Sequence, residues 1–241
     1  MKITPYKKSA TNLINGINAD FISVNDRSIH YGDGLFETIL CVDNKLYYWS
    51  QHYRRLSSSA ALLKLDCPSE EFFLRDISRL TAESNSQHDQ TFAIKILLSR
   101  GTGQRGYRID QNTSVNRIVL SSPLETDYSS LLSETLLSGE LYICKQQVSI
   151  NESLAGLKHL NRLENVMARS EWSDDKQSYI DGLMLNANQH VIEGTMSNLF
   201  AIKHGQLYTP ELKQSGIKGV MRDIIIGIAN KLDLRPTVTC L

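Results

Sequence analysis

Lys158 lies between a small, flexible pair and a segment with helical periodicity, in Leu154-Ala155-Gly156-Leu157-Lys158-His159-Leu160-Asn161-Arg162-Leu163-Glu164. An amine at such a junction can be fixed in position and partly desolvated, as a Schiff-base lysine requires. On residue type alone the commoner reading is a solvated lysine ahead of a helix, because lysine is almost always exposed. The covalent reading needs an acid for a pyridine nitrogen and cations or helix amides for a phosphate.

Glu193 is the candidate acid. It precedes Gly194-Thr195-Met196-Ser197-Asn198, a run of small hydrogen-bonding groups that includes Ser197 and Asn198. A carboxylate beside a ring nitrogen keeps that nitrogen protonated; the alternative is a turn glutamate before a glycine. Arg55, in His52-Tyr53-Arg54-Arg55-Leu56, could hold a phosphate through two parallel hydrogen bonds. Its neighbour Arg54 has the same chemistry, and either could be a plain surface arginine. Ser215-Gly216-Ile217-Lys218-Gly219-Val220-Met221-Arg222 places glycines before a helix, where N–H groups and the helix dipole favour an anion. It reads equally as an ordinary loop.

Ser99-Arg100-Gly101-Thr102-Gly103-Gln104-Arg105-Gly106-Tyr107 follows a strong strand and departs from the GxxxxGK[ST] pattern, so it is not a P-loop. Its arginines could grip a carboxylate or simply be solvated. Asp26 to Thr38, with His30, Gly32-Asp33-Gly34, Glu37 and Thr38, is dense in polar groups before a strand. It reads as a pocket wall, a tight turn or both, and Glu37 and Thr38 must point to opposite faces.

The elements that carry these residues are mixed. Short strands are expected at Asn12–Gly16 and Phe21–Val24, then a strand over Gly34–Val42 with Phe36, Thr38 and Leu40 on one face. Asp43-Asn44 forms a hairpin turn to a return strand over Lys45–Trp49. Ser50 caps a helix with a Leu56, Ala60, Leu63 stripe, and Ser69-Glu70-Glu71 opens a second with Phe73, Ile77 and Leu80. Strands follow at Phe92–Leu98 and Arg117–Ser121. Ser121–Thr126 is the expected domain boundary, where periodic order fades. Beyond it come a strand over Leu141–Ile150 and a helix from Leu160 to about Lys176. Hairpins are expected at Tyr179–Leu185 with Val191-Ile192, and at Asn198–Lys203 with Gln206–Thr209. A last helix spans about Lys218–Leu232, with Val220, Ile224 and Ile228 inward. Many hairpins and few βαβ units predict two α+β domains: 1–120, a linker at 121–126, and 127–241.

The bulk composition excludes several classes. The chain has 241 residues, long enough for a large core. Its 26 basic and 26 acidic residues balance, which gives no sign of nucleic-acid or membrane-surface binding. No apolar run approaches the roughly 18 residues of a membrane span, and the N-terminus lacks a signal-peptide core. The four scattered cysteines suggest reduced cytoplasmic thiols, and the six histidines form no i, i+4 pair, so no metal is expected.

The order of these segments resembles the fold-type IV pyridoxal-phosphate enzymes from about residue 12 onward. The segments that match are the Tyr31-Gly32-Asp33-Gly34 strand start, His52–Leu56, Ser99–Tyr107, Lys158, Glu193–Phe200 and Ser215–Arg222. Gly156–Glu164 and Arg105-Gly106-Tyr107 are most similar to aminodeoxychorismate lyase. The Gly-Asp-Gly and Glu193 segments are shared with D-amino acid and branched-chain aminotransferases. Leu163 stands where the branched-chain enzymes have a tyrosine, which argues against that subgroup.

The resemblance implies a D-amino acid aminotransferase-like fold with pyridoxal 5'-phosphate between two domains, the second an α/β pseudo-barrel that in these 241 residues lacks the family's last strands. It implies Lys158 as the Schiff-base lysine, Glu193 as partner of the pyridine nitrogen, and Arg55 rather than Arg54 at the phosphate. The backbone amides of Val220 and Met221 also meet the phosphate, with Ser197 and Asn198 beside the cofactor. Arg105 and Tyr107, with His30 and Thr38, become the expected substrate contacts. The implied reaction converts 4-amino-4-deoxychorismate to 4-aminobenzoate and pyruvate, in a cytoplasmic homodimer whose Arg105 loop reaches a partner's site. Transamination of D- or branched-chain amino acids on the same scaffold is the second expectation, and a cofactor-free binding protein the third.

Overall fold

The computed structural model describes residues 12–84, 91–110, 113–124, 138–173 and 179–241. The chain divides into two compact units, Met1–Thr135 and Leu136–Leu241.

The first unit is built on one antiparallel sheet. Its strands are β1 (Asn12–Ile14), β2 (Ile17–Asn18), β3 (Gly34–Val42), β4 (Lys45–Leu46), β5 (Thr91–Ser99) and β6 (Asn116–Pro123), in the order β2-β1-β6-β5-β3-β4. β3 and β5 pair along their whole length, from Gly34 opposite Ser99 to Val42 opposite Thr91. The alternation of β3 buries Leu35, Glu37, Ile39 and Cys41, and leaves Thr38 exposed on the other face with Phe36 and Leu40 half-buried. The expected Phe36, Thr38, Leu40 face is therefore the outer one. The inner face continues across Phe92, Ile94, Ile96 and Leu98 of β5 and meets two helices, α2 (Trp49–Leu62) and α3 (Glu70–Ser84). Leu56 and Ala60 of α2, with Phe73, Ile77 and Leu80 of α3, close this core. Each such large side chain contributes roughly 1.5–3 kcal/mol. Glu70 and Glu71 in the first turn of α3 complement its dipole.

Four local expectations change in this unit. Phe21–Val24 is not a strand; Phe21 and Val24 are exposed, and the chain runs into a short helix, α1 (Arg27–Tyr31), capped by Asp26. The return strand β4 stops at Leu46, because Tyr48 adopts φ 56° and turns the chain directly into α2. That helix starts at Trp49 with no side-chain cap, so Ser50 is not its N-cap. Ser121–Pro123 pair with Phe92–Ile94 inside β6, so the segment expected to be a linker at 121–126 begins within the sheet; residues 125–137 lie outside those described.

The second unit carries two three-stranded sheets. β7 (Glu140–Ile143) pairs parallel to β8 (Tyr179–Leu185), which forms a hairpin with β9 (Val191–Gly194). β10 (Ala201–Lys203), β11 (Gln206–Pro210) and β12 (Thr237–Thr239) make the other sheet, with β12 parallel to β11. The Asn186 side chain closes the β8–β9 hairpin by accepting from the Asn188 and His190 amides at 2.9 and 3.1 Å. Cys144, Val148, Ala168, Trp172 and Met184 form a small core.

The helices of this unit are shorter than their periodicity predicts. α4 covers Leu163–Arg169, not 160–176, and β7 has four residues where 141–150 was expected. α5 spans Val220–Lys231 but buries Val220, Arg222 and Ala229, while Ile228 is exposed. The Arg222 guanidinium is tolerated inside because it donates to Thr209 Oγ1 at 3.2 Å and to the Pro210 carbonyl at 2.9 Å. Among the described residues no helix is long and apolar enough to cross a membrane.

Candidate active site

Lys158 does not sit at a helix start. It is a half-buried residue in the loop before α4, and backbone pairing fixes that loop. The Gly156 amide donates to the Gly216 carbonyl at 2.8 Å, and the Lys218 amide donates to the Gly156 carbonyl at 3.1 Å. These two bonds flank Ile217. Both backbone groups of Ile217 are taken by side chains from the Glu193 segment. Its amide donates to Glu193 Oε2 at 2.7 Å, and its carbonyl accepts from Asn198 Nδ2 at 2.9 Å. The backbone of Gly216–Lys218 thus gathers the Gly156 and Glu193–Asn198 segments, far apart in sequence. Gly156 and Gly216 adopt φ 83° and 79°, which suits glycine; a Cβ on Gly216 would lie 2.7 Å from Ile192.

Glu193 is 3% exposed, and its second oxygen, Oε1, is buried with no hydrogen-bond partner. Burial pushes this carboxyl up to about 7, against the Ile217 hydrogen bond and the charges of Arg162 and Lys158, which pull it down. Arg162 is half-buried, its Nη2 lies 3.1 Å from His159 Nδ1, and its Nε is buried without a partner. Burial, then the Arg162 charge, pushes His159 down to about 4, so the ring is neutral near pH 7.

The Gly194–Ser197 turn has its own scaffold in Asp181. Asp181 accepts from the Gly182 amide at 2.7 Å, the Thr195 amide and hydroxyl at 3.1 and 2.5 Å, and Ser197 Oγ at 2.6 Å. Ser197 is exposed and its hydroxyl is spent on this turn. Asn198 packs against Gly219, where a Cβ would stand 1.9 Å from Asn198 Oδ1. Gly219 is the N-cap of α5 and makes no side-chain cap bond, so Val220 and Met221 open the helix with first-turn amides that no side chain caps.

In the first unit, Arg55 is bound to Glu37, with Nε donating to Oε1 at 2.8 Å and Nη2 to Oε2 at 2.5 Å. His52 Nδ1 lies 2.7 Å from the same Oε2. Arg54 is exposed. Of the expected substrate contacts, His30 lies in α1 and the Arg105–Tyr107 loop is held against it. Arg27 Nη1 donates to the Gly106 carbonyl at 2.8 Å, and the Gly106 amide donates to the Tyr31 hydroxyl at 3.2 Å. The Tyr31 ring lies 5.3 Å from that of Tyr107 and 5.7 Å from that of His30. This clamp holds the loop while leaving Arg105 exposed and Tyr107 85% exposed. Thr38 is exposed on the outer face of β3.

Three contributors were not singled out from sequence: Arg162 and His159 beside Glu193, and Asp181 under its turn. Arg162 and His159 lie within the Lys158 string itself. Asp181 carried a signal, since aspartate inside a β-strand is disfavoured without a local partner.

The amino-transferase class IV family matches residues 34–239. The chain belongs to this family. An aminodeoxychorismate lyase of Vibrio harveyi is 34% identical to it over 209 residues, covering 87% of this chain and 73% of that protein. The crystal structure of 4-amino-4-deoxychorismate lyase from Pseudomonas aeruginosa superposes with a TM-score of 0.80 at 33% identity, over 95% of this chain and 81% of that one. The branched-chain amino acid aminotransferase of Escherichia coli matches at a TM-score of 0.78 and 23% identity, over 96% and 77% of the two chains, a likeness of fold. This class IV family member therefore has the α+β fold-type IV architecture that the order of its segments led us to expect.

Proposed function

We propose that the protein is a pyridoxal 5'-phosphate-dependent 4-amino-4-deoxychorismate lyase that releases 4-aminobenzoate and pyruvate. The observation that carries the proposal is Glu193. It is a buried carboxylate in β9 with one oxygen without a partner and the other on the amide of Ile217, whose loop is paired to the Lys158 segment. The similarity to the Vibrio and Pseudomonas lyases supports the choice of reaction.

The residues present fit the cofactor. Glu193 Oε1 lacks the donor that a protonated ring nitrogen would supply, and the uncapped start of α5 offers amides to a phosphate. Arg55 supplies the phosphate's cation, Lys158 the covalent amine, and Asn198 fixes the Ile217 loop. When bound, the cofactor supplies an electron-accepting ring conjugated to the substrate amine. Lys158 takes the proton from the carbon that bears that amine, and for this it must be neutral. Glu193, ionised by its new partner, keeps the proton on the ring nitrogen. Loss of the enolpyruvyl ether then leaves an aromatic ring. Arg105 and Tyr107, with His30 and Thr38, are the proposed substrate contacts. The proposal includes a homodimer and a cytoplasmic setting.

Borohydride reduction followed by peptide mapping tests the site, with a pyridoxyl group expected on Lys158 alone; a label elsewhere overturns it. Release of 4-aminobenzoate without a keto-acid acceptor is the expected result for the reaction. Keto-acid release from a D-amino acid in place of 4-aminobenzoate formation would make the protein an aminotransferase.

A further inference from the structure

β3 places a carboxylate where its own alternation calls for an apolar side chain. Glu37 lies between Leu35 and Ile39 on the inner face of the sheet, and it is 1% exposed. Leu35 and Ile39 on either side of it in β3, and Leu56 and Ala60 of α2, belong to the apolar core of this unit. Two residues three apart on α2 reach back to it. Arg55 engages both carboxylate oxygens, at 2.8 and 2.5 Å, and His52 meets Oε2 at 2.7 Å. Residues at this spacing share one helix face, so the three groups form a fixed cluster.

Net stability is a weak reason for such a cluster. A buried ion pair is often no better for folding than well-packed apolar side chains of similar volume. What the cluster does fix is direction. A bidentate carboxylate on Nε and Nη2 stops the guanidinium turning about its long side chain, which would otherwise be among the most entropically costly to order. The neighbouring Arg54, without such a partner in β3, is exposed.

We propose that Glu37, supported by His52, is a positioning residue that holds the Arg55 guanidinium ready to receive the cofactor's phosphate. This rests on the reading of Arg55 as the phosphate arginine given above. Glu37 then acts through Arg55 and touches neither substrate nor cofactor.

The test compares dissociation constants of the full chain for pyridoxal 5'-phosphate and for pyridoxal, which lacks the phosphate, by absorbance titration. A general loosening of the fold weakens both ligands together, whereas a misdirected Arg55 weakens only the phosphorylated one. Glu37→Gln is expected to reduce the preference for the phosphorylated ligand by about 10-fold, the size of one misaligned charge-assisted hydrogen bond. Arg55→Ala is expected to reduce it further. If Arg55→Ala collapses the preference and Glu37→Gln keeps it at the wild-type value, the positioning role is overturned and the reading of Arg55 stands. If Arg55→Ala leaves the preference unchanged, the phosphate reading itself fails. Glu37→Asp keeps the charge but shortens the reach, and it is read by the same ratio should Glu37→Gln not fold. A wild-type preference in that variant also overturns the proposal.

Discussion

Glu37 in the first unit and Glu193 in the second are buried to nearly the same degree, 1% and 3% exposed. Burial pushes both carboxyls upward, yet they end on opposite sides of their ordinary value. At Glu37 the hydrogen bonds from His52 and Arg55 and the Arg55 charge outweigh burial and hold the group below the usual carboxylate range. At Glu193 the Ile217 amide and the charges of Arg162 and Lys158 do not, and the carboxyl rises to about 7. The difference is the number of direct donors, not depth. One cluster has a direct donor on each oxygen, and the other leaves Glu193 Oε1 without a partner.

Removing each carboxylate sharpens that contrast, with activity as the largest effect. Glu193→Gln should lower turnover by about 10³-fold while leaving unfolding by urea unchanged or slightly harder. Loss of stability with full turnover would break the comparison. Glu37→Ala should do the reverse in stability, costing about 3 kcal/mol in urea unfolding because Arg55 loses its buried acceptor.

The pH dependence of the cofactor-free protein follows from the raised Glu193. A group whose pKa rises on folding contributes stability below its unfolded value, here 4.5, and loses it as pH rises through the folded value of about 7. Glu37, with a lowered pKa, contributes stability above 4.5 and loses it as pH falls. The urea midpoint of Glu193→Gln should therefore decline less between pH 4.5 and 7 than that of the wild type. Identical profiles would mean that Glu193 is not raised.

The smallest effect is expected at Gly216. Gly216→Ala puts a Cβ 2.7 Å from Ile192 and 3.2 Å from Glu193 Oε2 at a φ of 79°. A cost of about 2 kcal/mol should appear as a lower melting temperature, together with a cofactor affinity more impaired than in a mutant of equal stability elsewhere.

Much of the frame was legible because it depends on local patterns. β3, its Asp43-Asn44 turn, α3 with Phe73, Ile77 and Leu80, β5, and the β8–β9 hairpin follow from alternation, turn chemistry and helical spacing. The misses occur where tertiary partners override those patterns. α5 buries Arg222 in place of Ile228 because Thr209 and Pro210 satisfy its donors. Ser50 is not a cap because the backbone turns two residues earlier, at Tyr48. For the site, Lys158, Glu193, Asn198 and Arg55 could be named from residue type and order. Ser197 was named too, and its hydroxyl donates to Asp181.

The sequence alone determined which groups are available: an amine at 158, an acid at 193, a guanidinium at 55, and glycines wherever the backbone must come close. Covalent chemistry and charge are properties of residue types, so they survive without coordinates. Only the tertiary structure decided how each group is held. The backbone of Gly216–Lys218 joins the Gly156 and Glu193–Asn198 segments, distant in sequence, and donors from α2 complete one buried carboxylate while the other keeps an oxygen open. Burial and hydrogen-bond number set ionisation, and both are counts of neighbours that no linear spacing contains.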